Sequence, residues 1–237
     1  STCNISIKRA SSNFTHTLKY TFGSLSGTIS TKTADTTVAW AVPTTFYQQM
    51  ADAKSKTGTM TCITYNGDTE IGTSTASFTI KVSDENAPTL NPKVYVSADS
   101  DTYKLTGSTT KLIRYYTWAT YEINAVAQNG ATIVSQSMAN GDIVYNEASA
   151  MMKKAIVTDR FVFSATDSRG YSATKEVVVD IVEYIKLTCN LGDYSFKSDG
   201  KISFSIRGKY FNGSFGVTNN TLTLKYRYKK AGESYSS

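Results

Sequence analysis

The segment that decides the fold is RFVFSATDSRGYSATKEVVVDIV at residues 160–182, which repeats the layout of TGTMTCITYNGDTEIGTSTASFTIKV at residues 57–82. Each copy is typical of a strand, a tight turn and a second strand, with Asn66-Gly67-Asp68 as the strongest turn signal. A short helix-compatible run precedes each hairpin, at residues 43–53 and 147–155. A layout that recurs along a chain indicates similar domains in series.

The length of 237 residues accommodates two small domains and a remainder. A sandwich of the immunoglobulin type needs roughly 100 residues, so we predict domains at 1–82 and 93–184. The intervening residues 83–92 (SDENAPTLNP) contain two of the three prolines and predict a linker. Residues 185–237 predict a third β domain that is partial or truncated, as in a fragment of a longer protein, and its last strand falls at 221–228.

The predicted fold class is all-β, with tandem immunoglobulin-like β-sandwiches. Strand-like segments follow one another at short spacing without long helices, and Thr and Tyr suit half-exposed pleated surfaces. Trp40 and Trp118 are the expected core anchors of the two domains. For Trp118 this follows from reading residues 115–118 (YYTW) as part of a central strand with Tyr116 and Trp118 on its buried face.

Charge and hydropathy argue against two classes of partner. The net charge of +6 is dispersed, and the densest basic run, KYRYKK at 225–230, has the alternation of a solvated strand face. We therefore predict no nucleic-acid partner. No apolar run approaches the roughly 20 residues that a membrane-spanning helix needs, so we predict no membrane association.

The cysteines leave two interpretations open. Cys3, Cys62 and Cys189 are odd in number and widely spaced, which excludes a disulfide framework and shows no zinc-ligand spacing. A Cys3–Cys62 pair inside the first domain is one possibility. Free thiols, as in a protein made in a reducing cytosol, are the other.

Signals of catalysis are nearly absent. The single histidine, His16, lies between Thr15 and Thr17 in an alternating strand, and the chain has no phosphate-binding loop, HExxH, CxxC or nucleophile elbow. A pair of catalytic carboxylates is not excluded by motif alone, because a sandwich can bring distant acids together. We predict that the chain is not an enzyme and uses no cofactor.

Two weak binding sites can be named from residue type. The sequence DENAP at 84–88 resembles the calcium-binding linker motif of cadherins, so Asp84, Glu85, Asp99 and Asp101 are calcium candidates. The same residues are also ordinary linker chemistry. If the chain binds a wall glycan, Tyr115 and Tyr121 are the candidate contacts.

An ordered set of short motifs resembles a siphovirus family of unknown function, which occurs in tailed phages of Gram-positive, streptococcal-type hosts. The motifs extend over nearly the whole chain: FTHTL (14–18), SGTI (26–29), GTMTC (58–62), TYNG (64–67), TDSRG (166–170), FNGSFG (211–216) and NTL (220–222).

The resemblance implies a minor structural protein of the virion, placed in the tail tip, baseplate or fibre. Expected partners are other tail or baseplate proteins and host cell-wall polysaccharide, and the expected site of synthesis is the bacterial host cytoplasm. It carries over no catalytic residue. Two alternatives remain at this point, a stalk of immunoglobulin-like repeats on a bacterial adhesin and a wall-glycan-binding module.

Overall fold

The computed structural model describes residues 2–225 together with 227, 229, 232 and 234. Within this part of the chain the fold is all-β, built from several small sheets. No helix there is long and apolar enough to cross a membrane.

The first domain packs a two-stranded ribbon against a four-stranded sheet. The ribbon pairs β1 with β4, and the sheet has the antiparallel order β3-β2-β5-β6. Trp40 from the ribbon meets Phe78 from the sheet at a ring separation of 5.4 Å, and Phe22 stacks on Phe46 at 4.4 Å. Trp40 is therefore a core anchor, as predicted. The elements are β1 (Thr2–Ser6), β2 (Phe14–Phe22), β3 (Leu25–Thr33), β4 (Thr37–Ala41), a 3-10 helix (Thr44–Met50), β5 (Ser55–Asn66) and β6 (Thr69–Lys81).

The second domain combines a four-stranded antiparallel sheet, ordered β13-β12-β15-β16, with smaller sheets. β10 pairs with both β8 and β14, β7 pairs with β11, and β9 runs parallel to β17. The elements are β7 (Thr89–Leu90), β8 (Lys93–Tyr95), α1 (Asp101–Thr106), β9 (Lys111–Ile113), β10 (Thr120–Glu122), β11 (Ala125–Val126), β12 (Ile133–Asn140), β13 (Ile143–Tyr145), β14 (Ser149–Met151), β15 (Arg160–Asp167), β16 (Ser172–Val178) and β17 (Asp180–Val182).

The core of the second domain lies between the four-stranded sheet and the β8-β10-β14 sheet. Val94 and Tyr121 enter it from the smaller sheet, and Met138, Phe161 and Phe163 enter from the larger one. The alternation of β15 (RFVFSATD) thus buries one face, as its sequence predicts.

Arg169 joins the two domains. It lies in the turn between β15 and β16, and only 4% of its surface is exposed. Its Nε donates to the carbonyl oxygen of Met50 at 2.7 Å and its Nη2 to that of Tyr47 at 3.2 Å, both in the first domain's 3-10 helix. Nη1 and Nη2 also donate to the carbonyl oxygens of Gln128 (2.8 Å) and Asn129 (2.5 Å) in the second domain. One guanidinium thus binds the backbone of both domains, and we call this set of contacts the Arg169 junction.

Asp167 balances the buried charge at the Arg169 junction. Its Oδ2 lies 3.8 Å from Nη1 of Arg169, and both side chains are fully buried. Its Oδ1 accepts from the backbone N–H groups of Arg169 (3.0 Å) and Tyr171 (2.9 Å), which shapes the turn. The Tyr171 hydroxyl then donates to the carbonyl oxygen of Val82 at 2.6 Å. A buried cation is tolerated only where it is paired and hydrogen-bonded, and the turn supplies both conditions.

Residues after the second domain form a ribbon and a segment that folds back. β18 (Thr188–Phe196) and β19 (Ile202–Lys209) pair as an isolated antiparallel ribbon, and large apolar side chains remain exposed on it: Leu191, Tyr194, Phe196, Ile202 and Ile206. Beyond the ribbon, Phe215 is buried against Ile113 and Val182 of the second domain. Gly216 permits this contact, because a Cβ there would lie 2.4 Å from the carbonyl oxygen of Thr106.

Several sequence predictions need correction. Residues 147–155 are not helical, because β14 pairs with β10, and tertiary pairing overrides helix propensity. The predicted linker 83–92 contains β7, which pairs with β11 of the second domain. The strand predicted at 221–228 is absent from 221–225, and part of it lies outside the described residues. Within the described part of the chain, residues after 209 add to the second domain's core and form no third core. The immunoglobulin-like topology stays a prediction.

We expect Arg169→Met to destabilise the protein by about 3–5 kcal/mol, because it leaves the Asp167 carboxylate buried without its cation. Chemical denaturation followed by circular dichroism measures the loss. Arg160→Met is the matched control. Arg160 forms a surface ion pair with Glu176, and its side chain is 60% exposed, so its loss should cost less than about 1 kcal/mol.

A second variant tests the reason for that loss. Asp167→Asn added to Arg169→Met removes the uncompensated charge while an amide oxygen can still accept the two turn bonds. The double variant should be more stable than Arg169→Met alone. Equal stability of Arg169→Met and Arg160→Met would contradict the junction's importance.

Candidate functional site

Thr117 fixes the loop between β9 and β10. Its hydroxyl accepts from the backbone N–H of Ile113 at 2.8 Å and shares a hydrogen bond with the Thr102 hydroxyl at 3.0 Å. Its own N–H donates to the carbonyl oxygen of Ile113 at 2.9 Å. A buried hydroxyl is stable when it is hydrogen-bonded, and Thr117 is buried with these partners. The loop consequently turns after β9 where an extended strand was expected.

Tyr115 has a backbone conformation that the turn requires. Its φ is 60°, a left-handed value that costs a non-glycine residue about 1–2 kcal/mol. The backbone there is held on both sides, because Tyr115 N–H donates to the carbonyl oxygen of Ile156 at 2.9 Å and Ile156 N–H donates to that of Thr117 at 3.0 Å. Arg114 lies over the Tyr115 ring at 5.9 Å and also pairs with Glu183 at 3.0 Å.

The turn leaves three aromatic rings exposed, which we call the aromatic surface: Tyr115 (58% exposed), Tyr116 (45%) and Trp118 (56%). The prediction that Trp118 is a core anchor is therefore wrong. Side chains do alternate along this stretch, but the buried face carries Thr117, Ala119 and Tyr121. Period-two alternation defines two faces without saying which is buried, and here packing selects the smaller side chains next to the turn.

Tyr121, one of the two predicted glycan contacts, is buried in the second domain's core and cannot serve as a surface contact. Its hydroxyl donates to the carbonyl oxygen of Glu147 at 3.3 Å. Burial, with a smaller contribution from Glu147, raises the pKa of Tyr121 to about 12. Tyr115, the other candidate, is exposed as a glycan contact would have to be.

A shallow depression of about 280 Å³ lies beside the aromatic surface. Tyr116, Trp118 and the exposed Met151 supply apolar lining, and polar groups come from the start of α1. Full lining comprises Val96, Ser100, Asp101, Thr102, Tyr116, Trp118 and Met151. Sequence reasoning missed Met151 and α1, since neither carries a local motif.

Charged side chains at this depression are held in place. Lys104 donates to the Asp101 carboxylate at 2.9 Å, and this hydrogen bond raises the pKa of Lys104. The Ser97 hydroxyl donates to Asp99, which lowers the pKa of that carboxyl. Asp99, Asp101 and Tyr116 all act electrostatically on Lys104. Two carboxylates and one ammonium group therefore lie close to the Tyr116 ring.

The calcium candidates are not brought together into a site. Asp84 and Glu85 begin a 3-10 turn (Asp84–Asn86), whereas Asp99 and Asp101 lie at the start of α1. Among the described residues, no group of three or more His, Cys, Asp or Glu side chains is placed to hold a metal ion. Calcium prefers six to eight oxygen ligands, so the predicted cadherin-like site is not supported.

His16 and Cys62 form a pair that sequence reasoning did not foresee. They lie on neighbouring strands with Cys62 Sγ 3.6 Å from His16 Nδ1, beside a depression of about 260 Å³. Burial raises the pKa of Cys62 and, together with Arg9, lowers the pKa of His16. Both shifts favour the neutral forms, whereas a cysteine nucleophile needs a thiolate. The pair thus has the character of packed core residues. Cys3, Cys62 and Cys189 are all free thiols, so the alternative of a Cys3–Cys62 disulfide is wrong for this structure.

These features define an all-β protein with two joined domains and an exposed aromatic surface on the second. The chain belongs to a family of siphovirus proteins of unknown function (DUF859), whose model matches residues 1–193. The siphovirus resemblance in the sequence is thereby confirmed, and the match includes both domains and part of β18. No curated protein matches the chain.

We expect Thr117→Val to destabilise the protein by about 1–3 kcal/mol, because the N–H of Ile113 and the hydroxyl of Thr102 lose their buried partner. Denaturation measures the loss, and the fluorescence of the exposed Trp118 should shift as the loop rearranges. Thr174→Val is the control, since Thr174 is exposed and bonds only across a surface strand pair. A wild-type midpoint for Thr117→Val would contradict the anchoring role.

Protein stability should fall as the pH falls below about 6.5, and His16 should account for part of this. Its folded-state pKa lies below the usual 6.5, so the unfolded chain binds the proton more readily and acid favours unfolding. Free energies of unfolding between pH 7.5 and 5.5 test this. His16→Gln should flatten the dependence, and an unchanged slope in that variant would show that other groups are responsible.

Proposed function

We propose that the chain is a non-enzymatic structural component of the siphovirus virion, located in the tail tip, baseplate or fibre. It acts there as a spacer or docking module between other tail proteins and takes part in recognising the host surface. Membership of the siphovirus family is the first support, because it favours a phage protein over a bacterial adhesin stalk.

The observation that carries the proposal is the Arg169 junction. A spacer must hold its parts at a fixed angle, and ordinary domain interfaces within one chain permit relative motion. Here a buried guanidinium bonds to carbonyl oxygens of both domains, and the Ser168 hydroxyl adds a bond to Ala51 at 2.5 Å. These directional bonds resist both sliding and rotation, which suits a load-bearing module.

The aromatic surface supports the role in host recognition. Large exposed aromatic side chains on a protein of this size mark an interaction surface more often than a chance exposure. They lie on a loop that Thr117 and Ile156 hold from below, so the surface is presented by a rigid support. Partners proposed for the chain are tail or baseplate proteins and a host-surface polysaccharide, and we propose neither nucleic acid nor membrane.

The absence of catalysis and of a cofactor remains part of the proposal. It is supported by the neutral character of the His16–Cys62 pair, the chemically most suggestive pair of side chains in the first domain. Free cysteines suit a protein synthesised and assembled in the bacterial cytoplasm.

Immunogold labelling of purified virions tests the proposed location. Antibodies raised against the 237-residue chain should label one end of the tail, and antibody absorbed with the same chain should label nothing. A signal in lysates of infected cells together with unlabelled virions would show that the protein is not part of the particle.

A further inference from the structure

We propose that the depression beside the aromatic surface is a binding site for a neutral saccharide, with the Trp118 and Tyr116 rings as the stacking platform. The inference rests on the proposed role in host recognition and names the class of ligand that this role would require. It replaces the pair Tyr115 and Tyr121 by residues that the fold places around one depression.

The first argument is the pairing of ring faces with hydrogen-bonding groups. Pyranose rings carry an apolar face of C–H groups, which are polarised positively, and aromatic faces are negative, so the two attract. Their hydroxyl groups need partners at the ring edge. Trp118, Tyr116 and Met151 supply the apolar surface, and Asp101 supplies carboxylate oxygens beside it.

The second argument is the charge at the edge. Asp99 and Asp101 stay ionised, and Lys104 is the ammonium group that they share. Two carboxylates beside one ammonium group would repel a phosphate-rich polymer. They would accept hydrogen bonds from the hydroxyl or amide groups of a neutral hexose or N-acetylhexosamine. Neutral saccharides therefore fit better than anionic polymers.

The third argument is size and support. At about 280 Å³ the depression is shallow and open, and it suits one or two sugar rings at the surface of a longer chain. A stable protein partner would need roughly 800 Å² on each side, well beyond three rings and a methionine. Ser100 also caps α1 by accepting from the Tyr103 N–H at 3.1 Å, so the polar edge is held in place before any ligand arrives.

The test is a titration of the purified chain with defined oligosaccharides, measured by calorimetry. The probes are N-acetylglucosamine oligomers, neutral hexose and rhamnose oligomers and, as the anionic comparison, polyglycerol phosphate. We expect saturable binding of at least one neutral oligosaccharide and weaker binding of polyglycerol phosphate. Acrylamide quenching gives a local readout, because Trp118 is exposed and Trp40 is buried, so a bound sugar should protect Trp118.

Variants locate the site. Trp118→Ala should weaken binding by about tenfold or more, and Trp118→Phe should retain most of it because a ring remains. Tyr194→Ala is the matched control, since it removes an equally exposed ring on the β18–β19 ribbon. All three positions are largely exposed, so the variants should keep the wild-type unfolding midpoint, which circular dichroism verifies.

Three results would overturn the inference: no binding of any neutral oligosaccharide, binding that Trp118→Ala leaves unchanged, or binding of polyglycerol phosphate alone. Binding to host cells that survives removal of polysaccharide but not protease treatment would assign the surface to a protein receptor, and would also overturn it. The virion labelling is independent. Labelled tails without saccharide binding would remove only this inference, whereas saccharide binding with unlabelled virions would remove only the tail location.

Discussion

The two-domain arrangement depends on one buried cation. The Arg169 guanidinium is planar and rigid, so its donors point in fixed directions, and four backbone carbonyl groups are placed to accept from them. Two of these groups belong to each domain. Desolvation makes an arginine costly to bury, and the Asp167 carboxylate offsets the cost while it also shapes the turn. Folding of the turn and docking of the domains are thus coupled.

The loop after β9 uses the same principle on a smaller scale. A buried Thr117 hydroxyl satisfies its partners inside the protein, and the large side chains on either side of it are directed outwards. In both places a polar group with specific geometry lies where an apolar side chain would pack without direction. The junction orients the domains, and the loop presents the aromatic surface. Together they describe a structural module that holds a recognition surface at a defined orientation.

Much of the fold could be predicted from local sequence. β2 has the predicted bounds, and the hairpins around Gly67 and Gly170 form as the turn residues require. The candidate site was only half foreseen. Tyr115 is exposed, but Trp118 and Tyr121 exchanged the expected roles because alternation alone does not identify the buried face. α1 and β14 could not be recognised, since a six-residue helix and a three-residue strand carry little periodic signal.

The sequence by itself determined the all-β class, the repeated hairpin and the siphovirus family, because alternation, turn residues and ordered motifs are local properties of the chain. Only the tertiary structure decided that Arg169 reaches Met50, 119 positions earlier, and that Phe215 returns to the second domain's core. It also decided that Trp118 faces outwards. The physical reason is that burial depends on which distant segments meet, and hydrogen-bond partners separated by a hundred residues leave no pattern in a single sequence.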